Sequence, residues 1–230
     1  MLNENPVCVV VGAGTKYTSN EAYFGTGSDG EFAPDVRWGL GGALPIQFSL
    51  ADYSVVILSR TKQNLIPLCD HIVGELGGSC EIVECDVTDP SSANLAFEKI
   101  HATYKSIDVL CYNAGFAKAP DHGSKRVDNP IGGGMVEDID TDAFASSYAV
   151  HAEGLLRIAK LTLPRMRELG GGSFLVSGNT MSLRGAKGFG LNAPSKFAQR
   201  ALTQVMAQEY KDFGVHIAHV IIDGAIDAPG

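Results

Sequence analysis

"VCVVVGAG", residues Val7–Gly14, decides the fold when read with "GLGGALPIQFSLADYSVVILSR", residues Gly39–Arg60. Val7–Val11 is too continuously apolar for a half-exposed strand and predicts a buried first strand. Gly12 and Gly14 follow it, and Gly39, Gly41 and Gly42 open an apolar helical stretch (Gly41–Ala51). Without the intervening segment 16–38 the chain reads strand, G-x-G-x-G-x-G, helix, strand. Gly12, Gly39 and Gly41, with Leu40 between the last two, then stand as G-x-x-x-G-x-G. A phosphate-cradling loop needs this order, because only a turn between a strand and a helix start aims backbone N–H groups and the helix dipole at an anion.

A second glycine pattern competes. "FGTGSDGE", Phe24–Glu31, carries Gly25, Gly27 and Gly30 at G-x-G-x-x-G spacing. Polar "TSNEAY" precedes it, and "EFAPDVRW" after it holds a proline and no helical period. It follows no strand and opens no helix, so the match is read as coincidence. It lies inside the insertion 16–38, whose Tyr17, Tyr23, Phe24, Phe32 and Trp38 are many aromatics for a linker. Two readings stay open: a lid over the cleft, or a surface loop.

Outward from the glycine loop, short apolar runs alternate with helical patterns. Ser54–Ser59, Cys80–Val87, Ile107–Gly115, Gly172–Gly178 and Val215–Ile222 read as strands or strand ends. Lys62–Leu76 reads as a helix interrupted by a proline, and Ser91–Tyr104 as one opened by serine caps. Thr141–Leu169 reads as one long helix capped by Thr141, and Asn192–Gly214 as the last, with Gly214 as its stop. Pro45 in the first helix fits only if it falls in the first turn. Lys118–Asp138 reads as a loop over one sheet edge. This alternation predicts an α/β doubly wound parallel sheet in a three-layer αβα sandwich. Residues 1–230 form a single domain in this reading, with a missing or truncated C-terminal strand.

Composition narrows the function. The formal net charge is −8 and no basic cluster is dense, which argues against nucleic acid. No signal peptide and no long apolar span is visible, so a soluble cytoplasmic protein without a membrane partner is expected. Cys8, Cys69, Cys80, Cys85 and Cys111 form no C-x-x-C pair and read as reduced thiols. His216 and His219 fall on opposite faces of a strand-like run, and no metal site is expected.

Four segments in order now resemble the short-chain dehydrogenase/reductase family: the split glycine loop, "CDVTD", "YNAG", and the pair "SGNTMSLRG" and "APSKFA". The resemblance implies a Rossmann-type dinucleotide-binding domain and oxidoreductase activity on a small carbonyl or alcohol. It places Asp86 and Val87 at the adenine, and Asn113, Ala114 and Gly115 beside the cofactor. It also implies a homodimer or homotetramer. The second strand ends in Ser59-Arg60 with Lys62 nearby and no acid for the ribose 2′-OH. A hydroxyl and a guanidinium suit a 2′-phosphate, so NADP(H) is preferred over NAD(H).

The family's acid–base tetrad is Asn–Ser–Tyr–Lys. Lys196 fits the lysine, which binds the nicotinamide ribose and lowers the tyrosine's pKa. Asn192 stands at the tyrosine, Asn179 at the serine, with Ser177 and Thr180 near it, and His151 at the asparagine. Asp223-Gly224 stands where the family carries Pro-Gly. An amide exchanges no proton near neutral pH, and losing a general acid costs about 10²–10⁴-fold. His151, with Tyr148 one turn before it, and Lys196 are the candidate replacements. Two functions remain open: an NADP(H)-linked oxidoreductase with an unusual proton source, and a catalytically inactive chain that senses cofactor or binds a partner.

Overall fold

The computed structural model describes residues 5–14, 38–116 and 134–224. Nearly all of the insertion, including Phe24–Glu31, and most of the 118–138 loop lie outside these residues. So does the chain beyond Gly224, where the expectation about a final strand falls.

Six strands form one sheet: β1 (Val7–Val11), β2 (Ser54–Ser59), β3 (Ser79–Glu84), β4 (Val109–Tyr112), β5 (Gly172–Asn179) and β6 (Val215–Ile222). Their order is β3-β2-β1-β4-β5-β6, and every pairing is parallel. The helices are α1 (Gly39–Leu50), α2 (Ile66–Asp70), α3 (Pro90–Thr103), α4 (Thr141–Tyr148), α5 (Leu155–Glu168) and α6 (Ala193–Tyr210). The chain reverses direction across the sheet between β1 and β4. In such sheets ligands bind beyond the strand C-termini at that reversal.

Alternation along β1 explains the three layers. Val7, Val9 and Val11 join a core with Phe97, Ile100, Leu155, Ile158 and Met206 on the α3/α5/α6 side. Cys8 and Val10 join Trp38, Leu65, Leu68 and Ile72 on the α1/α2 side. Both faces are covered, which is why the strand reads as an unbroken apolar run. Trp38, the last residue of the insertion, is buried in this second core, its ring 5.4 Å from that of His71. All five cysteines are free thiols, and burial pushes Cys85 up to about 12.

Several local expectations are corrected. Serines do not cap α3: the Asp89 carboxylate accepts from the Ser91 N–H at 2.9 Å, with Pro90 in the first turn. Thr141 does not cap α4: the Asp140 carboxylate accepts from the Ala143 N–H at 2.8 Å. The long helix does run from Thr141 to Glu168, but it widens into a π turn at Ala149–Gly154, between α4 and α5. The helix over Lys62–Leu76 breaks into a 3₁₀ turn, α2 and a π turn, His71–Glu75.

Pro45 is the most informative correction. It lies inside α1 rather than in its first turn. A proline has no N–H to give the carbonyl four residues back, here Gly41. The Gly14 N–H donates to that carbonyl instead, at 3.2 Å. The proline that removes a bond from the helix frees the acceptor that ties the glycine loop together.

Candidate functional site

Two regions meet at the strand C-termini: a glycine cradle above β1 and the four acid–base positions beside β4 and β5. In the cradle, Gly12 (φ 83°), Gly14 (φ 111°) and Gly39 (φ 54°) adopt left-handed conformations that other residues rarely tolerate. A Cβ on Gly12 would lie 2.5 Å from the Ala114 nitrogen. A Cβ on Gly41 would lie 2.8 Å from the Gly14 carbonyl oxygen and 3.0 Å from that of Gly12. Asn113 donates its side-chain amide to the Gly12 carbonyl at 2.9 Å, and its main-chain N–H to Val11 at 2.8 Å. The two halves of the loop are therefore in contact despite the segment between them. Leu40 is partly exposed between Gly39 and Gly41 at the start of α1.

The flanking residues lie at the C-terminal ends of β2 and β3. Ser59 and Arg60 end β2, with Arg60 exposed. Asp86 is held by its own turn, its carboxylate accepting from the Thr88 N–H at 2.8 Å and the Thr88 hydroxyl at 2.7 Å. Arg157 donates to the Val87 carbonyl. Gly115 faces open space, with nothing within 4 Å of a Cβ placed there.

Two of these positions, His151 and Asn192, are closed. The Phe116 N–H donates to His151 Nε2 at 3.3 Å, which leaves the ring proton on Nδ1. His151 Nδ1–H then faces the Ser195 hydroxyl at 2.9 Å. The Ser195 and Ser147 hydroxyls are 2.7 Å apart, and Ser147 donates to the Asn192 side-chain carbonyl. Asn192 Nδ2 returns to the Phe116 carbonyl at 3.3 Å. The ring starts and ends on one residue of the loop after β4. Asn192 and His151 are each 1% exposed. Burial, and secondarily the Lys196 ammonium, hold His151 down to about 2, so its imidazole is neutral at physiological pH. That removes it as the replacement proton donor. Tyr148 packs its ring 5.2 Å from Phe144.

The π turn places His151 in this ring. Tyr112, buried at the end of β4, donates its hydroxyl to the Val150 carbonyl at 2.6 Å. Gly154 makes room, since a Cβ there would meet that hydroxyl at 2.7 Å. Lys196 donates to Gln199 Oε1 at 3.0 Å and is 8% exposed. Asn179 ends β5, and its buried side-chain carbonyl has no hydrogen-bond partner among the described residues. Among those residues no three His, Cys, Asp or Glu side chains gather to hold a metal ion.

Ser147, Ser195 and the Phe116 backbone were not singled out from the sequence. The i, i+4 spacing of Ser147 to His151 and the i, i+3 spacing of Asn192 to Ser195 were the available signals.

Sheet order and the glycine turn after β1 define a fold of the Rossmann class. The profile of the short chain dehydrogenase family matches residues 36–229, and the chain belongs to that family. The match begins after β1, so the structure supplies the half of the cradle that the profile leaves out. Human 17-beta-hydroxysteroid dehydrogenase type 1 is 32% identical over 141 residues, covering 61% of this chain and 38% of that protein. An oxidoreductase of Botryotinia fuckeliana is 29% identical over 165 residues, covering 71% and 54%. The chain thus spans about half or less of these relatives. The alcohol dehydrogenase of the archaeon Thermococcus sibiricus, complexed with 5-hydroxy-NADP, superposes with a TM-score of 0.75 at 19% identity, covering 99% of this chain and 82% of that one. At that identity the likeness is one of fold. Among the described residues no helix is long and apolar enough to cross a membrane.

Proposed function

We propose that this chain binds NADP(H) above β1 and β4 and slowly transfers hydride between it and a small carbonyl or alcohol. One observation carries the reading: Gly14 N–H to Gly41 C=O, with no room for a Cβ between Gly41 and the Gly12 and Gly14 carbonyls. Left-handed glycines in close main-chain contact support a pyrophosphate site there. Gly12, Gly14, Gly39 and Gly41 would take the pyrophosphate, Ser59 and Arg60 the 2′-phosphate, Asp86 and Val87 the adenine, and Asn113–Gly115 the adjoining ribose side. When bound, the cofactor supplies the hydride. Lys196 holds the nicotinamide ribose, and the Asn179 amide orients the substrate oxygen. The proton comes from water, because Asn192 and His151 are sealed.

The test is NADPH oxidation across a panel of small carbonyl compounds. Turnover is expected well below that of an enzyme with a side-chain acid, by about 10²–10⁴-fold, and abolished by Lys196→Ala. Turnover that survives Lys196→Ala overturns this assignment.

The buried ring supports a second reading, a catalytically inactive chain that senses cofactor or binds a partner. It predicts NADPH binding with no turnover on any carbonyl, and activity gained on rebuilding the cleft with Asn192→Tyr and Asn179→Ser. In either reading the chain pairs with copies of itself as a homodimer or homotetramer. Leu156 on α5 and Phe197 and Val205 on α6 are exposed apolar residues that such pairing would cover. Light scattering showing a monomer at micromolar concentration would refute it. The five free cysteines suit a reducing compartment, so the cytoplasm is the proposed location.

A further inference from the structure

We propose that Asp223, held in place by Thr180, biases the site toward the oxidised form of its nicotinamide cofactor. The inference rests on the reading that the cleft holds such a cofactor.

β5 and β6 run in parallel register to their last residues, where Asn179 pairs with Ile222. Thr180 follows β5 and Asp223 follows β6, so the register brings them side by side. The Thr180 hydroxyl and Asp223 Oδ1 are 2.5 Å apart. The carboxylate only accepts, so the hydroxyl proton lies on that bond and fixes one carboxylate oxygen. Among the described residues Asp223 makes no ion pair.

A doubly wound sheet has two mononucleotide halves. The β1–β3 half carries the glycine cradle, so the C-terminal ends of β4–β6 serve the nicotinamide half. A carboxylate fixed there acts differently on the two redox forms. The oxidised ring is a pyridinium with one positive charge; the reduced ring is neutral. The phosphates are the same in both forms, so their repulsion cancels in the ratio of the two affinities. Lys196 lies at the same end with the opposite charge, engaged by Gln199. It is unchanged when Asp223 is altered, so a substitution isolates the carboxylate. His219, half-buried on β6, is pushed down to about 4 by burial and by Lys196 and Arg200, and is neutral at pH 7.5.

Asp223 is exposed, so water weakens its field. A unit charge about 4–10 Å away in a solvent-like dielectric gives a discrimination of about two- to fivefold.

The test is calorimetric titration of NADP⁺ and NADPH into the whole chain, its Asp223→Asn and Asp223→Glu variants, and Thr180→Val, at low salt and pH 7.5. Asp223→Asn should raise the ratio Kd(NADP⁺)/Kd(NADPH) about two- to fivefold, chiefly by weakening NADP⁺. Asp223→Glu should keep the parent ratio, and Thr180→Val should fall between. The Asp223→Asn effect should shrink at 1 M salt, where the Debye length is about 3 Å. An unchanged ratio in Asp223→Asn, with both forms still bound, overturns the role of Asp223 alone. Failure of the folded parent to bind either form overturns the cofactor reading and this inference together.

Discussion

Gly41→Ala asks whether the split loop works as one cradle. Gly41 is the third residue of α1 and has no left-handed backbone angle, so an alanine is acceptable on conformational grounds. The helix would gain at most about 1 kcal/mol from the exchange. The obstacle is space. The new Cβ would stand 2.8 Å from the Gly14 oxygen and 3.0 Å from the Gly12 oxygen, both main-chain atoms on the other half of the loop. Ordinary contact then needs about half an ångström of separation, and overpacking of this kind costs about 1–3 kcal/mol. The net destabilisation expected is about 0–2 kcal/mol, so the variant folds. Its cradle, however, is opened where the N–H groups must converge. NADPH affinity should fall at least about tenfold, or about 1.4 kcal/mol. Denaturant unfolding and calorimetric titration of the same preparation separate the two effects. Gly74→Ala is the control, since nothing lies within 4 Å of a Cβ there, and it should leave affinity unchanged. A Gly41→Ala protein that binds NADPH as tightly as the parent would refute contact between the two halves.

Three further outcomes are expected. His151 has a folded pKa depressed to about 2 against about 6.5 unfolded, so its contribution is complete above pH 6.5 and is lost as pH falls. From pH 6.5 to 5 this one group removes about 2 kcal/mol; denaturant midpoints should show it, and His151→Gln should flatten that slope. Ser195→Ala removes the 2.9 Å partner of His151 Nδ1 but leaves the Ser147 hydroxyl at 3.3 Å, and should destabilise the fold by about 1 kcal/mol in urea unfolding. Arg60→Ser should weaken NADPH binding about tenfold and leave NADH unchanged; an equal loss for both would remove Arg60 from the 2′-phosphate.

Much of the fold was legible because burial on both sheet faces leaves a plain mark. The bounds of β1, β2 and β6 coincide with the apolar runs Val7–Val11, Ser54–Ser59 and Val215–Ile222. Helix starts were less legible. Asp89 and Asp140 cap α3 and α4, while the hydroxyl residues chosen from sequence lie inside them. A carboxylate just before the first turn reaches the free N–H groups and also meets the positive end of the helix dipole. Pro45 was legible as a problem but not as a solution, because its effect depends on Gly14, which lies across the insertion. The acid–base ring was the least legible. It joins residues from the loop after β4, from α4, from the π turn and from the start of α6, and no local pattern reports that the Phe116 backbone closes it. The resemblance set His151 and Asn192 at two of the family's positions; the structure joins these two through Ser147 and Ser195 and leaves Asn179 apart.

The most direct measurement is titration of NADPH and NADH into the folded chain. One equivalent of NADPH per chain, bound more tightly than NADH, is the expected result. A folded chain that takes up no NADPH, or that takes up NADH more tightly, would contradict it.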